Sequence, residues 1–406
     1  MNRLIYSLFL FAVLTVAPYV SFAQSARTLA LVGGTVYSSP TEAPISDAVI
    51  LASSGKITAV GKRGELQIPK DARVIDCTGK VIVAGFWNSH SHFTEPVWNN
   101  AATAPAAPLE KHIQEMLTRW GFTTIWDLGS DPSNTLALRR RVDTGEIAGP
   151  KMLLAGDIFP KNGHPAYLPP EMQLPEAATP AEAAQMARDD LKTGMDGMKL
   201  FTGAYMGDKP VINMDTAIVR AAVDVAHAQG KPVFAHPQNR TGLDNAIEGG
   251  VDILAHTIPS TDFHYSNEEL SRFKEQHTAL IPTLTLWTTI VKDPVVTAQI
   301  VQAGVEQLKA FHSNGGTVLF GTDVGFIKIY DTSLEYEFMN RALPASEVLA
   351  SLTTNPAAYF KDAEKGQVKK GFDADLVVLD GDPTTDVRNL AKVAYTIRAG
   401  KIIYQK

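Results

Sequence analysis

Residues 79–92 read Gly79-Lys-Val-Ile-Val-Ala-Gly-Phe-Trp-Asn-Ser-His-Ser-His92, an apolar run that ends in two histidines. The apolar part has the length and the β-branched content of a buried strand. Residues i and i+2 of an extended segment point to the same side, so His90 and His92 can face one ion. The stretch therefore predicts a strand with two nitrogen ligands at its carboxyl end.

Eight such apolar runs alternate with amphipathic stretches in the middle of the chain. They are Val81–Phe86, Thr123–Leu128, Met152–Ala155, Gly197–Phe201, Pro232–Ala235, Asp252–Ala255, Ala279–Leu284 and Val318–Gly321. Residues 181–191 and 241–249 between them have helical period. Eight βα units of this size predict an α/β fold with a (β/α)8 TIM-type barrel. An open doubly wound sheet remains the alternative, although no run is followed by a Gly-x-Gly-x-x-Gly or Walker loop.

The segments on either side of this region have short strands separated by turn residues. Neither residues 24–84 nor residues 361–406 contain enough apolar residues for a core of their own. We therefore expect the two segments to join into one small β-sandwich domain. Residues 85–360 would form the catalytic barrel inserted between them.

The first 23 residues have the composition of a secretory signal peptide. Met1-Asn-Arg3 is basic, Leu4–Val20 is largely apolar, and Ser21-Phe-Ala23 supplies small residues for cleavage. An exported protein, periplasmic or secreted, is predicted, with no membrane anchor after cleavage. The alternative is an uncleaved anchor, because about 17 apolar residues are at the lower limit for crossing a bilayer.

The charge and the cysteine content restrict the classes of partner and of metal site. The 406-residue chain has 43 acidic and 37 basic side chains, a net charge of −6 and no block of Lys or Arg, which argues against nucleic acid. Its single cysteine, Cys77, excludes an internal disulfide, an iron–sulfur site and a thiolate zinc cage. Any metal ligands must be histidines and carboxylates.

Ionisable residues lie at the ends of several predicted strands. Beyond the first histidine pair they are Lys199, His236, His256 and Asp323. Each one alone has an ordinary interpretation, such as an ion-paired lysine or an N-capping aspartate. The active site of a barrel lies at the carboxyl ends of its strands, so the joint placement predicts that these side chains converge.

These motifs resemble the amidohydrolase superfamily, in its imidazolonepropionase-like and prolidase-like branch. The resemblance covers almost the whole mature chain and includes His90-x-His92, the stretch 249–256, Gly321-Thr-Asp323, the stretch 355–358 and the stretch 366–379. It implies that His90 and His92 bind one metal, and that His236 and His256 bind a second. Asp323 would bind metal and transfer protons as the catalytic residue, and a carboxylated Lys199 would bridge both ions. Asn88 departs from the family, which usually has Asp two residues before the first motif histidine.

The resemblance also implies the chemistry. Two divalent ions, most consistent with Zn²⁺ but open to manganese, iron or cobalt, would activate a bridging hydroxide for attack on an amide carbonyl. The expected reaction is cleavage of a C–N bond in a dipeptide, an N-acyl amino acid or a similar small amide. Two other functions remain open, namely hydrolysis of a cyclic amide or lactone and metal binding without catalysis. The site could also hold a single metal, with Lys199 as a plain cation, and the protein could form a homo-oligomer.

Residues that contact substrate are harder to predict. His164, in the loop after the third run, is a candidate for the substrate carbonyl. Tyr205 and Arg240 could bind a substrate carboxylate, although solvation at the surface is the simpler interpretation of both. Residues 93–108 could form either a lid or a wall of the pocket.

Overall fold

The computed structural model describes residues 28–406. The predicted signal peptide, residues 1–23, lies outside the described residues. Within residues 28–406, none of the helices is both long enough and apolar enough to cross a bilayer.

The described part contains nineteen strands, eleven α-helices and three short 3₁₀ helices. The strands are β1 (Leu29–Val36), β2 (Ile45–Ser53), β3 (Lys56–Lys62), β4 (Arg73–Asp76), β5 (Val81–Ala84), β6 (Phe86–Ser91), β7 (Phe122–Asp127), β8 (Lys151–Pro160), β9 (Glu176–Ala177), β10 (Gly197–Leu200), β11 (Gly203–Ala204), β12 (Ile212–Asn213), β13 (Val233–Ala235), β14 (Ile253–Ala255), β15 (Ala279–Ile281), β16 (Thr317–Val318), β17 (Leu376–Leu379), β18 (Val393–Arg398) and β19 (Lys401–Gln405). The α-helices are α1 (Ala106–Met116), α2 (Pro132–Asp143), α3 (Pro180–Thr193), α4 (Thr216–His227), α5 (Arg240–Gly249), α6 (Asn267–Glu275), α7 (Leu286–Ile290), α8 (Pro294–Ser313), α9 (Ser333–Asn340), α10 (Ala345–Leu352) and α11 (Thr354–Tyr359). The 3₁₀ helices are Pro96–Trp98, Thr118–Trp120 and Val387–Ala391.

The N- and C-terminal segments meet in one mixed sheet. Its strand order is β19-β18-β17-β5-β1-β2-β3, with β4 also paired to β1. The antiparallel pairing of β17 with β5 joins the two ends of the chain, and the sheet has its own cluster of buried apolar side chains. This sheet is where the sequence predicted a β-sandwich.

All eight strands of the two segments are connected by hydrogen bonds into one mixed sheet, which confirms that the segments join, while the two-layer arrangement of a sandwich stays a prediction. The first half of β1 pairs with β4 and its last two residues pair with β5. The change of partner coincides with an irregularity at Gly33, which has φ +88°. A bulge of this kind bends a strand, which lets β1 pair with β4 along its first half and with β5 at its end.

A second sheet contains eight parallel strands in the order β6-β7-β8-β10-β13-β14-β15-β16. The order follows the chain without the reversal that a doubly wound sheet has at its first strand. Hydrogen bonds also connect the two edges, since the Ser89 N–H donates to the Phe320 carbonyl at 2.7 Å and the Asp323 N–H donates to the His90 carbonyl at 2.9 Å. The number, order and direction of these strands match the (β/α)8 prediction.

The predicted first strand, Val81–Phe86, is divided between the two sheets. Val81–Ala84 belongs to the mixed sheet and the parallel sheet begins at Phe86. At Gly85 between them, a Cβ atom would lie 2.3 Å from Oγ1 of Thr123, so only glycine fits at this crossing. The strand that ends at the histidine pair is therefore Phe86–Ser91.

The two predicted helices are present. The segment 181–191 lies within α3, which begins with a capping box between Thr179 and Glu182 and ends at Gly194 in the left-handed region. The segment 241–249 lies within α5, whose N-cap is Asn239. Their apolar faces pack into the main core cluster, which leaves the carboxyl ends of the strands free to form a site.

Candidate metal centre

His90, His92 and Asp323 form a compact group at the carboxyl ends of the first and last parallel strands. The two Nε2 atoms lie 3.2 Å apart, and Oδ1 of Asp323 lies 3.3 Å from Nε2 of His90 and 3.0 Å from Nε2 of His92. Asp323 has φ +60°, in the left-handed region that Asp tolerates better than most residues. Three atoms that each offer a lone pair converge here, which suits a cation.

His236 and His256 extend the group. They follow β13 and β14 directly, and their ring centroids are 4.7 Å apart. The ring of His256 is also 4.7 Å from that of His90. The four imidazoles thus form a continuous cluster, with Asp323 beside His90 and His92.

Hydrogen bonds fix the tautomers of two of these rings. Nδ1 of His92 lies 2.7 Å from the carbonyl oxygen of Gly129, which can only accept, so Nδ1 carries the proton. Nδ1 of His256 lies 2.6 Å from Oγ1 of Thr283, and that hydroxyl donates its own proton to the Pro282 carbonyl at 2.9 Å. Nδ1 of His256 is therefore the donor to Thr283. In the neutral form of both rings Nε2 is therefore the unprotonated nitrogen, which is the one that a metal ligand needs, and in His92 it faces Oδ1 of Asp323 at 3.0 Å.

The electrostatics favour neutral imidazoles in most of the cluster. Burial, reinforced by the charge of Lys199, lowers the pKa of His90 and His256 well below the usual value and that of His236 to about 3. In His92 burial acts in the same direction, but hydrogen bonding to Asp323 outweighs it and raises the pKa. Nδ1 of His90 is buried without a hydrogen-bond partner among residues 28–406. Neutral rings with unshared nitrogens are competent ligands, so the donor set fits divalent metal.

Lys199 lies in β10, inside the ring of strands and beside the histidines. Its side chain is 1% exposed and, among residues 28–406, it forms no salt bridge. Burial lowers the pKa of its amine to about 8, against the opposing charges of Asp323 and Asp157. A lysine with this pKa has a large neutral fraction near pH 8, and the neutral amine is the form that can react with carbon dioxide.

Two acidic residues near this cluster were missed from the sequence. Asp127 ends β7 and accepts a hydrogen bond from Ser130 at 2.6 Å, and burial raises its pKa to about 6. Asp157 lies opposite Lys199 in the pairing of β8 with β10, and burial raises its pKa to about 7. The available signal was position, because each lies at or near the carboxyl end of a parallel strand. The predicted third strand stopped at Ala155, two residues before Asp157.

Asn88 connects the histidine pair to the segment that precedes Asp323. Its Oδ1 accepts the N–H of His90 at 3.1 Å and that of Thr322 at 3.2 Å, and its Nδ2 donates to Oγ1 of Thr322 at 2.8 Å. The side-chain amide of Asn88 contains both a donor and an acceptor. Asparagine at this position, where the family usually has Asp, is therefore buried with both its Oδ1 and its Nδ2 hydrogen-bonded.

The predicted substrate contacts are not brought into the cluster. His164 is half-buried in the loop after β8, and its ring nitrogens face the carbonyls of Pro165 and Met172, each at 3.2 Å. Arg240 pairs with Glu269 at 2.5 Å, so it is not free to bind a carboxylate. Tyr205 is exposed.

Residues 93–108 pack against the rest of the barrel through Trp98, which favours a fixed segment over a lid. The segment contains the 3₁₀ helix Pro96–Trp98 and the start of α1. Trp98 is buried and makes edge contacts with the rings of Phe93 and His112, with centroids 5.1 and 4.9 Å apart.

Tyr167, in the loop after β8, was also missed from the sequence. Its ring is 40% exposed and meets Phe326, three residues after Asp323, with centroids 5.1 Å apart. Burial of the hydroxyl, together with the charge of Asp323, raises the pKa of Tyr167. Tyr167 is therefore close enough to Asp323 for the charge of that carboxylate to affect its hydroxyl.

A surface cavity of about 580 Å³ lies elsewhere, between the mixed sheet and α9. It is lined by Arg119, Lys392, Lys406 and other residues, and it contains none of the six predicted ligands. This cavity lies at the surface and is separate from the histidine cluster.

Comparisons with known proteins agree with this fold. The model of the amidohydrolase family matches residues 81–403. An uncharacterised protein of Mycobacterium tuberculosis is 29% identical over 216 residues, which are 51% of each chain, so the alignment spans about half the length of this relative. The ochratoxinase of Aspergillus niger is 24% identical over 88% of this chain and 83% of its own. The crystal structure of a proposed prolidase from Bifidobacterium longum superposes with a TM-score of 0.80 and 27% identity, over 94% of this chain and 95% of that one.

Proposed function

The chain belongs to the amidohydrolase family, and from this premise we propose that it hydrolyses the C–N bond of a small amide, such as a dipeptide or an N-acyl amino acid. The observation that carries the proposal is the group of His90, His92 and Asp323, with the rings of His256 and His236 in contact beside it and the buried amine of Lys199 nearby. The names of the ochratoxinase and of the proposed prolidase support an amide substrate.

Two divalent ions, most consistent with zinc, are proposed as cofactors. His90, His92 and Asp323 would hold one, and His236 and His256 the other, with carboxylated Lys199 between them. When bound, such ions lower the pKa of a water and polarise a carbonyl. The buried amine of Lys199 favours the carbamate, because an ammonium beside two cations would be repelled.

Asp323 is proposed to move the proton. Its carboxylate lies within 3.3 Å of two imidazole nitrogens, so it borders the place where a water would attack. From there it would accept the proton of that water and donate it to the leaving nitrogen.

The pocket mouth favours a substrate with an apolar side chain. Tyr167 forms an aromatic pair with Phe326, which lies three residues along the chain from Asp323, and Met172 is exposed in the same loop as Tyr167. Aromatic contact of this kind stabilises a bound ring or thioether. Arg240 is paired with Glu269, which argues against its use as the partner of a substrate carboxylate.

The N-terminal composition supports export, so we also propose a periplasmic or secreted location. Residues 85–360 are proposed as the catalytic unit, and residues 24–84 with 361–406 as the accessory sheet. These boundaries follow the two hydrogen-bonded sheets.

The test combines elemental analysis of the purified protein with an assay panel. Dipeptides, N-acyl amino acids and lactams would be incubated with and without chelator, and release of free amine would be measured. Chelator-sensitive turnover of linear amides supports the proposal. Turnover of lactams or lactones alone would favour the cyclic-amide alternative, and bound metal without any turnover would favour a non-catalytic metal-binding protein.

A further inference from the structure

The segment between β15 and α7 contains an unusual backbone conformation beside a proposed ligand. Thr283 has φ +45°, which a β-branched residue rarely adopts. Its hydroxyl accepts the Nδ1 proton of His256 at 2.6 Å. Such a conformation persists only where the surrounding structure fixes it.

Glu335 supplies that constraint from a different element. It lies in α9, its side chain is 1% exposed, and its two oxygens accept the N–H groups of Leu284 at 2.8 Å and Thr285 at 2.7 Å. No cation forms a salt bridge with it among residues 28–406. Burial raises the pKa of Glu335 to about 7, so above that pH the anion accepts both bonds.

The buried carboxylate of Glu335 thus holds the consecutive backbone amides of Leu284 and Thr285 in place. These amides immediately follow Thr283, so their position sets the direction of the Thr283 hydroxyl. That hydroxyl in turn sets the tautomer and the orientation of the His256 ring. The path from Glu335 to Nε2 of His256 consists of hydrogen bonds and one short stretch of backbone.

We propose that Glu335 is a positioning residue for metal binding, acting through the Leu284 and Thr285 amides and the Thr283 hydroxyl to orient His256. The inference rests on the proposed metal centre, because it concerns how one of its ligands is oriented. It assigns Glu335 no contact with substrate or metal.

The test measures metal loss rather than turnover. Zinc-loaded full-length protein at pH 8 would be mixed with excess chromophoric chelator, and the rate of zinc release would be followed. Glu335→Gln keeps the size of the side chain but can accept through only one oxygen, and Thr283→Val removes the hydroxyl. Both should release zinc from the proposed site of His236 and His256 about 10- to 100-fold faster. This is the range typical for the loss of an outer hydrogen bond to a metal ligand.

Two controls separate orientation from general destabilisation. Thr283→Ser retains the hydroxyl and should release zinc at close to the wild-type rate. Glu269→Gln is the control, because Glu269 is also a buried carboxylate that accepts a backbone N–H, that of Ser266 in the capping box of α6, but it is paired with Arg240 and, within residues 28–406, has no hydrogen bond to the segment that holds His256. It should lower the melting temperature without faster zinc release.

The double variant Glu335→Gln/Thr283→Val decides whether the two residues act in one path. If they do, it releases zinc no faster than the faster single variant, because the second change removes a link already broken. Fully multiplicative rates, or a wild-type release rate in Glu335→Gln, would overturn the inference. Wild-type protein that takes up no zinc would overturn it together with the metal centre, whereas zinc uptake without amide turnover leaves this inference supported and rejects only the proposed reaction.

Discussion

Lys199 lies directly opposite Asp157 in the parallel pairing of β10 with β8. Register partners in neighbouring strands point to the same side, so both side chains face the interior of the ring of strands. Burial lowers the pKa of Lys199 to about 8, and the charges of Asp323 and Asp157 limit that decrease. About half of the amine is then neutral at pH 8, which prepares it for reaction with carbon dioxide.

Replacing Lys199 by alanine should reduce amide hydrolysis by at least about 10²-fold and lower the bound metal, because the bridging anion is lost. Native mass spectrometry of the wild-type protein should show the added mass of one carbon dioxide, which is absent from Lys199→Ala. Retention of two metal ions and full turnover in this variant would refute the carbamate and favour a single-metal site.

Replacing Asp323 by asparagine should abolish most turnover while much of the metal remains. The amide oxygen can still ligate, but it cannot accept the proton of the attacking water, so a loss of about 10² to 10⁴ in kcat is expected. Metal content and kcat would be measured on the same sample. Asp331→Asn, an exposed carboxylate eight residues later, should keep wild-type activity. Unchanged kcat in Asp323→Asn would contradict the assigned role.

Replacing Asn88 by alanine should destabilise the protein by about 1–3 kcal/mol, because the N–H groups of His90 and Thr322 lose their buried acceptor. Zinc should also dissociate faster, since the same bonds position the histidine pair. Thermal unfolding and zinc release would be compared with Asn245→Ala, which removes helix-to-loop hydrogen bonds away from the cluster. If both variants release zinc at the same rate, Asn88 has only a general structural role.

The strands of the barrel and the candidate metal ligands at their ends could be predicted because both follow from patterns within short stretches of sequence. The eight apolar runs predicted the strand order, and the ionisable residues at their ends include His90, His92 and Asp323, whose ligand atoms the structure brings together. The rings of His256 and His236 lie in contact beside them, and the metal-binding roles of all six residues stay a prediction. Sequence patterns could not show where the run Val81–Phe86 crosses from one sheet to the other, because both parts are equally apolar. The crossing at Gly85 depends on its contact with Thr123, which is distant in sequence.

The missed residues had a different cause. Asp157 lay beyond a strand that was predicted too short, and Glu335 acts through backbone amides that no motif encodes. Tyr167 is in a loop whose path depends on packing against Phe326. The conformation of this loop also determines where His164 lies. The sequence therefore could not show that its ring nitrogens face carbonyls of the same loop.

The thiol of Cys77 should be almost inert in the folded protein. Burial raises its pKa to about 11, so the thiolate fraction at pH 8 is about 10⁻³. Reaction with a disulfide reagent should be at least about 10²-fold slower than in guanidinium-unfolded protein. Because the folded pKa is raised, the rate should increase about tenfold per pH unit from pH 8 to pH 10, without a plateau. A plateau near pH 9 would show that the mixed sheet exposes this residue.

Replacing Tyr167 by alanine should change substrate preference while leaving the metal in place. The loss of aromatic surface beside Phe326 should raise KM about tenfold for amides with an aromatic or thioether side chain, and should change little for glycine amides. Tyr167→Phe separates the ring from the hydroxyl, because it retains the contact with Phe326 and loses only the hydroxyl, whose pKa the charge of Asp323 raises. If KM increases equally for glycine and phenylalanine amides in Tyr167→Ala, the aromatic surface does not select the substrate. A decrease in kcat confined to Tyr167→Phe would assign the hydroxyl a part in the reaction.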